Sequence, residues 1–308
     1  MLLGRPVLLT MIVIALGAAV LHAQDRPTDQ WLTKPVDDRT FAAYLQFFAY
    51  DATLPFETVV LDSTEQEGIK VEHVKFQSTP GVMVTARLYR PAGASTGSVV
   101  LLHGGSPQGK DGSYMVRFAR VYARAGFTTL AIDFQHFGER DDGFFTTFAE
   151  IEKHDRLYNN KALYLDWVAQ TVKDVSRSFD FLVKERGADP ERVALSGFSR
   201  GAVLATIAGA ADPRFAAVTL LHVGHFDYYE TGHQPAACPA NYIGRISPRP
   251  LFILSATHDG DFLPETAIKP LQRLAKDPVT IRWTDGTHGF TNDQDLGAAI
   301  EWLRGVLR

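Results

Sequence analysis

The stretch that decides the fold reads Arg192-Val193-Ala194-Leu195-Ser196-Gly197-Phe198-Ser199-Arg200-Gly201. Its apolar first half predicts a short buried strand, and the small and apolar residues from position 202 onward predict a helix. Between them, the pattern G-x-S-x-G predicts a sharp turn that raises the Ser199 hydroxyl above the sheet, at the positive end of the helix. Glycine at both outer positions removes the Cβ atoms that would collide where strand and helix cross.

Apolar strands alternate with helices on both sides of this turn. Strands are predicted at residues 99–103, 127–132, 193–195, 216–221, 250–255 and 279–283. Helices are predicted at residues 114–125, 165–182, 202–208, 265–275 and 296–307. Strands that are apolar on both faces are typical of α/β proteins, so we expect a mostly parallel central sheet with helices on both faces. Alternating strands at 71–76 and 82–89 are expected to form an antiparallel N-terminal edge.

The first 23 residues have the features of a secretory signal peptide. Arg5 precedes an apolar run at 7–21, and Ala23 offers a cleavage site. The alternative is a membrane anchor, but the run is shorter than the ~20 residues that a spanning helix needs. We therefore expect a secreted or periplasmic protein with no stable membrane anchor after cleavage. No linker divides residues 24–308, which we interpret as a single α/β domain.

Composition excludes some partners and leaves others open. The chain has 308 residues and a net charge of −4, which gives no reason to expect nucleic acid as a partner. Cys238 is the sole cysteine, so an intramolecular disulfide is impossible, and we expect a structural thiol. The oligomeric state does not follow from the sequence.

Ser199 needs a base and an acid, because a serine hydroxyl is a weak nucleophile at neutral pH. In folds with this turn, the acid and then the histidine follow the serine along the chain. Asp259 follows the strand at 250–255, and His288 lies after the last strand. Asp261 is the alternative acid, but Asp259 is preferred because Gly260 after it can adopt the positive φ of a tight turn.

The loop His103-Gly104-Gly105-Ser106 follows another strand and is expected to help bind an oxyanion. One backbone N–H is expected from Gly105 or Ser106, and the second from Arg200, the residue after the nucleophile.

Two long connections, 134–160 and 222–249, follow the carboxyl ends of strands, where open α/β sheets bind ligands. We expect both to wall the site, and His222 and His225 to contact substrate. With Asp227 and His233 these histidines could suggest a metal site, but their spacing matches no ligand signature. We therefore predict no metal and no cofactor.

These motifs resemble those of the serine α/β-hydrolases, in particular the dienelactone-hydrolase-like and acetyl-xylan-esterase-like group. The resemblance covers roughly residues 68–308. It rests on the G-x-S-x-G turn at residues 197–201, called the elbow from here on, and on Asp259. It also rests on three further stretches: His103-Gly104-Gly105, Asp133 to Arg140 with Gly138-Glu139-Arg140, and His288-Gly289-Phe290. Dienelactone hydrolases carry cysteine in the elbow, where this chain has Ser199. The resemblance therefore implies a serine esterase acting on small-molecule or acyl-sugar esters.

Two other functions stay open at this point. A serine peptidase of the prolyl-oligopeptidase type has a similar catalytic domain, but such enzymes usually carry a propeller domain, and this chain has no segment long enough for one. A non-catalytic binding protein on the same fold commonly lacks a member of the triad, whereas all three residue types are present here. The acyl and alcohol parts of the substrate do not follow from the sequence.

Overall fold

The computed structural model describes residues 29–144, 150–227, 229–289 and 291–308, with the side chains of residues 150 and 151 left out. The predicted signal peptide at 1–23 lies outside these residues. Among the helices that are described, none is long and apolar enough to cross a membrane.

The described residues form one sheet of nine strands, in the spatial order β1-β2-β3-β5-β4-β6-β7-β8-β9. The strands are β1 (Val59–Gln66), β2 (Ile69–Thr79), β3 (Val82–Arg90), β4 (Gly97–Leu102), β5 (Phe127–Ile132), β6 (Val193–Phe198), β7 (Ala217–Leu221), β8 (Leu251–His258) and β9 (Val279–Thr287). Strands β1 to β3 are antiparallel, and β3 joins β5 in the same way. All pairs from β5 to β9 are parallel. The predicted parallel sheet with an antiparallel N-terminal edge is confirmed.

Helices cover both faces of the sheet. They are α1 (Asp38–Tyr44), α2 (Ser113–Arg124), α3 (Glu150–Lys153), α4 (Lys161–Arg186), α5 (Arg200–Ala211), α6 (Lys269–Gln272) and α7 (Asp293–Val306). The side chains of β4 show the two faces, because successive residues of a strand point in opposite directions. Val100 and Leu102 pack with α4 and α5, whereas Val99 and Leu101 pack with α2 and α7.

The structure differs from the sequence-based elements mainly at strand ends. Strand β8 continues to His258, beyond the predicted end at Ser255, because His258 still pairs with Thr287 of β9. Strand β1 was not singled out, since all of its residues are exposed and no apolar alternation indicates it. The helix predicted at 265–275 is a π-helical turn, Pro264–Ile268, followed by the short α6.

Candidate active site

The turn after β6 holds Ser199 in a backbone conformation that side chains rarely adopt, with φ 53° and ψ −121°. A Cβ atom at Gly197 would lie 2.2 Å from the carbonyl oxygen of Gly201, and one at Gly201 would lie 2.3 Å from that of His103. The N–H of Ser199 donates to the carbonyl of Leu221 on β7 across 2.8 Å. Two close backbone approaches and one hydrogen bond therefore keep this strained turn in place.

Ser199, His288 and Asp259 form a chain of hydrogen bonds above the sheet. Nε2 of His288 lies 2.7 Å from Oγ of Ser199, and Nδ1 of His288 lies 2.8 Å from Oδ2 of Asp259. Asp259 directly follows β8 and His288 directly follows β9, so the carboxyl ends of neighbouring parallel strands bring acid and base together. The structure thus assembles the three residues that the sequence analysis selected.

Asp259 and Asp261 have different surroundings. Asp259 is buried, and its Oδ1 accepts the backbone N–H groups of Asp261 across 3.0 Å and Phe262 across 2.8 Å. The side chain of Asp261 is 64% exposed, and its Oδ2 lies 3.4 Å from Nε2 of His288. The buried carboxylate is therefore placed to orient the imidazole, whereas the exposed one lies beside its reactive nitrogen.

The ring of His222 packs edge-on against that of His288. The two ring centroids are 5.8 Å apart, and His222 is fully buried with Nε2 2.9 Å from Oγ1 of Thr291. Burial lowers the pKa of His222 to about 4, so this imidazole is neutral at pH 7. His222 is buried and is not among the described lining residues of the cleft, and the substrate contact expected of it stays a prediction.

The glycine loop after β4 lies against the nucleophile. A Cβ atom at Gly104 would lie 3.1 Å from Cβ of Ser199, so a larger residue would require its neighbours to shift by a few tenths of an ångström. The N–H of Gly104 donates to the hydroxyl of Tyr114 across 3.1 Å, which leaves the following residues, Gly105 and Ser106, as the loop's candidate oxyanion donors. The N–H of Arg200, in the first turn of α5, has no acceptor within the helix.

His103 anchors that loop to the end of β5. Its Nδ1 donates to the carbonyl of Gly104 across 2.6 Å, and its Nε2 accepts the N–H of Phe134 across 3.2 Å. Burial lowers the pKa of His103 to about 4, which keeps the imidazole neutral, as one donor and one acceptor require. His103 therefore has a structural role.

The motif from Asp133 to Arg140 supports the segment that follows β4. The buried carboxylate of Asp133 accepts from Nζ of Lys110 across 2.7 Å and from the backbone N–H of Lys110 across 2.8 Å. Gly109 and Gly138 both have positive φ, and a Cβ atom on either would lie 2.2 Å from Oδ1 of Asp133. The glycine of Gly138-Glu139-Arg140 is thus explained by packing against Asp133.

A cleft with a volume of about 270 Å³ opens in front of the Ser199 hydroxyl. Its described lining residues are His154, Tyr158, Ser199, Arg200, Asp227, Tyr229, Gly260, Asp261 and Phe262. Both long connections contribute to it, with His154 and Tyr158 from 134–160 and Asp227 and Tyr229 from 222–249.

The side chain of Arg200 ties the second connection to the elbow helix. Its Nη1 lies 2.5 Å from Oε1 of Glu230, and its Nη2 lies 2.7 Å from Oδ2 of Asp227. Nε2 of His154, from the first connection, lies 2.7 Å from the same Asp227 oxygen. The sequence analysis used only the backbone of Arg200. A long cation at the start of a buried, small-residue helix was the signal that acidic partners must lie nearby.

The charges of this cluster, formed by Arg200, Asp227, Glu230 and His233, depend on its internal contacts. Burial raises the pKa of Glu230, but the attraction of Arg200 and His233 outweighs burial and holds that pKa below its usual range. Burial lowers the pKa of His233 and outweighs the attraction of Glu230, so His233 is neutral and bonds Glu230 across 3.1 Å. One guanidinium is therefore shared by two carboxylates, and each carboxylate also contacts a histidine, His154 at Asp227 and His233 at Glu230.

His225 is not among the described lining residues of the cleft, and the substrate contact expected of it stays a prediction. It is buried, and its Nε2 lies 3.0 Å from Oδ2 of Asp29. Cys238 is also buried, and its Sγ lies 3.9 Å from the same nitrogen. Asp29, His225 and Cys238 could hold a metal ion by their proximity, although burial raises the pKa of the Cys238 thiol, which a metal would have to deprotonate.

A second group of possible ligands consists of His222, Asp259 and His288, two of which already belong to the hydrogen-bond chain of Ser199. His233 belongs to neither group, so the structure does not gather His222, His225 and His233 around one point.

A model of the alpha/beta hydrolase family matches residues 99–306, and the chain belongs to this family. The comparison with curated proteins gives no match.

Solved structures share the fold at low sequence identity. A cold-adapted esterase from an Arctic intertidal metagenomic library is 19% identical with a TM-score of 0.63, and the match covers 83% of this chain and 100% of that chain. Acetyl xylan esterase 1 from Thermoanaerobacterium sp. is 14% identical with a TM-score of 0.67, covering 92% and 99%. A glucuronoyl esterase from Solibacter usitatus is 17% identical with a TM-score of 0.57, covering 87% and 94%.

Proposed function

We propose that this protein is a serine hydrolase that cleaves carboxylic esters through an acyl-enzyme on Ser199. The observation that carries the proposal is the hydrogen-bond chain from Ser199 through His288 to Asp259, at the mouth of a cleft. The solved structures of similar fold include a cold-adapted esterase, an acetyl xylan esterase and a glucuronoyl esterase, which supports ester cleavage as the reaction.

In the first half of the reaction, Nε2 of His288 takes the hydroxyl proton of Ser199 while Oγ attacks the ester carbonyl carbon. The carbonyl oxygen gains negative charge and accepts hydrogen bonds from the backbone N–H of Arg200 and from that of Gly105 or Ser106. Asp259 holds Nδ1–H of His288 and stabilises the imidazolium that forms. His288 then gives its proton to the leaving alcohol, and the acyl group stays on Ser199.

In the second half, water replaces the alcohol. His288 takes a proton from the water, whose oxygen attacks the acyl carbon, and the same N–H groups hold the oxyanion. Collapse returns the proton to Oγ of Ser199 and releases the carboxylic acid. No step requires a metal ion or a cofactor.

The cleft suits a small acyl group and a small or sugar alcohol. Its volume of about 270 Å³ is just below the usual range for ligand pockets, which begins at about 300 Å³. Polar and aromatic side chains share its walls, as Asp227 and Tyr229 illustrate. Acyl sugars are supported as a substrate class by the acetyl xylan esterase of similar fold.

A serine-reactive fluorophosphonate tests the proposal directly. We expect stoichiometric labelling of the wild-type protein on Ser199, and none in Ser199→Ala. A panel of acetyl, aryl and acetyl-sugar esters, run beside an aminoacyl amide, then separates an esterase from a peptidase. Absence of labelling would support a non-catalytic binding protein, whereas faster turnover of the amide would support the peptidase.

We also propose that the protein is exported after removal of residues 1–23, because of the signal-peptide pattern of that stretch. Expression in a host with a secretory pathway, followed by N-terminal mass spectrometry, should find a chain that begins at Gln24. Retention of Met1 in the membrane fraction would support an anchor instead.

A further inference from the structure

Charge in the cleft is unevenly distributed. Among the described lining residues, Arg200 is the sole arginine or lysine. Its guanidinium already binds Asp227 and Glu230. This one guanidinium is shared by two carboxylates, and His154 of the lining contacts Asp227 as well, whereas the remaining acid of the lining, Asp261, pairs with no arginine or lysine of the lining. Arg200 therefore has no free positive charge to offer an anionic substrate.

Asp261 adds a negative charge at the point where bonds are made and broken. Its Oδ2 lies 3.4 Å from the nitrogen of His288 that receives the proton of Ser199. In the resting site, Nδ1–H of His288 is given to Asp259 and Nε2 accepts the serine hydroxyl. Nε2 then carries no hydrogen for Asp261, whose carboxylate stays 64% exposed and open to a group on the substrate.

Internal residues outside the described ranges add no positive charge near the cleft. The internal positions outside the described residues, 145–149, 228 and 290, contain only neutral residues. An aromatic side chain also faces the cleft, since Tyr229 is 44% exposed and lines it. Aromatic faces and carboxylates both attract organic cations, and an ammonium group over a tyrosine ring is a known recognition geometry.

We infer that the cleft favours esters whose alcohol part carries a positive charge, and that Asp261 is the specificity-determining residue for this preference. The inference rests on the proposed esterase function and adds the charge of the substrate to it. A cation within about 5 Å of a partly hydrated carboxylate gains enough for a preference of about tenfold. An anionic alcohol part would be repelled by Asp261 and would find the guanidinium of Arg200 already bound to two carboxylates.

A pair of esters of equal shape measures the preference. One is the acetyl ester of choline, and the other is its carbon isostere, with a tert-butyl group in place of the trimethylammonium group. We expect kcat/KM to be about tenfold higher for the cationic ester at low ionic strength, and the ratio to shrink with added salt. The acetyl ester of a hydroxy acid of similar length should be the poorest of the three.

The variant Asp261→Asn should bring the ratio of the isosteric pair close to one. Glu301→Gln on α7 is the matched control, because it removes one exposed carboxylate, 70% exposed and paired with Arg304, outside the cleft lining. This control should keep the wild-type ratio. A ratio of one or less in the wild-type protein, or a preference that survives Asp261→Asn, would overturn the inference.

Failure of the inference is distinguishable from failure of the proposed function. Labelling by a phosphonate with a choline leaving group, compared with its carbon isostere, gives the same ratio without complete turnover. Labelling of both at equal rates overturns only the charge preference. Labelling of neither removes the esterase proposal and the preference with it.

Discussion

The carboxylate of Asp259 lies 2.8 Å from Nδ1 of His288, and it is buried where two backbone N–H groups hold its other oxygen. This arrangement fixes both the rotation of the imidazole and the nitrogen that carries its hydrogen. Asp261 approaches the same ring from the cleft at 3.4 Å, with most of its side chain in water. The two acids therefore have unequal consequences for turnover.

Asp259→Asn should lower kcat by ~10³ to 10⁴, because an amide favours the wrong imidazole tautomer. Asp261→Asn should lower kcat for a neutral ester by about tenfold or less. Steady-state kinetics of both variants on one uncharged aryl ester measure the difference. The reverse order would assign the orienting role to Asp261 and leave the rest of the mechanism in place.

Ser199→Ala should lower ester turnover by ~10⁴ or more, since loss of a triad member usually has an effect of that size. The change only shortens a side chain, so circular dichroism and the thermal midpoint should stay close to wild type. A variant that keeps more than about a hundredth of the activity would show that another group is the nucleophile.

The fold could be predicted from the sequence because its central strands are buried on both faces. Strand β5 has the predicted bounds, Phe127–Ile132, since its residues are apolar or threonine and glycine precedes it. Strand β1 could not be predicted in this way, because an exposed edge strand carries no burial pattern and forms through pairing with β2.

The site, like the fold, could be predicted from the sequence only in part. The nucleophile, acid and base follow strands, so topology alone brings them together. The histidines of the second connection could not be placed, because their directions depend on local backbone and on distant partners. His222 has a φ of 56°, and the segment after it is held by the ion pair of Arg200 with Glu230. Neither the positive φ nor the ion pair produces a periodic pattern of apolar residues in the sequence.

The glycines of the elbow should be intolerant of even a methyl group. Gly201→Ala would place Cβ 2.3 Å from the carbonyl oxygen of His103 and 2.5 Å from that of Leu102, both backbone atoms that support the glycine loop. We expect a loss of roughly 1–3 kcal/mol in the free energy of unfolding, as for overpacked cores, and a lower kcat.

Gly297→Ala is the control for that experiment. It lies in α7 with no atom within 4 Å of the added Cβ, so alanine should stabilise the protein by ~0.5–1 kcal/mol. Urea unfolding of both variants provides the comparison. Equal effects of the two substitutions would show that the strand and helix do not crowd each other at the elbow.

Acid should destabilise the protein through its buried neutral histidines. The pKa of His103 and that of His222 are each lowered to about 4 by burial, below the ordinary value of about 6.5 in the unfolded chain. Above pH 6.5 these two histidines are neutral in both the folded and the unfolded chain, so they do not change the stability. As the pH falls toward 4, only the unfolded chain takes up these protons, so stability falls by about 1.4 kcal/mol per pH unit for each histidine.

Urea midpoints at pH 7, 6 and 5 measure this slope. His222→Gln removes one titrating group, and its slope between pH 6 and 5 should be smaller than that of the wild type. His258→Gln, at an exposed histidine of β8, should keep the wild-type slope. A wild-type stability that is constant from pH 7 to pH 5 would contradict the burial of neutral imidazoles.

Arg200 should be important for stability as well as for the cleft. Arg200→Gln removes the cation but leaves Glu230 buried without it, an arrangement that typically costs about 3–5 kcal/mol. Without Arg200, burial should raise the pKa of Glu230 above its unfolded value, and protonation then relieves the cost. The stability difference from wild type should therefore shrink as the pH falls from 7 to 5.

Two further variants separate this effect from a general loss of charge. Arg117→Gln removes an arginine that is 41% exposed and paired with Asp293, and it should change the free energy of unfolding by less than about 1 kcal/mol. Adding Glu230→Gln to Arg200→Gln should restore part of the lost stability, because the uncompensated charge is gone. A double variant less stable than Arg200→Gln alone would mean that Arg200 contributes through packing on Tyr158, 4.1 Å from its guanidinium carbon, more than through its charge.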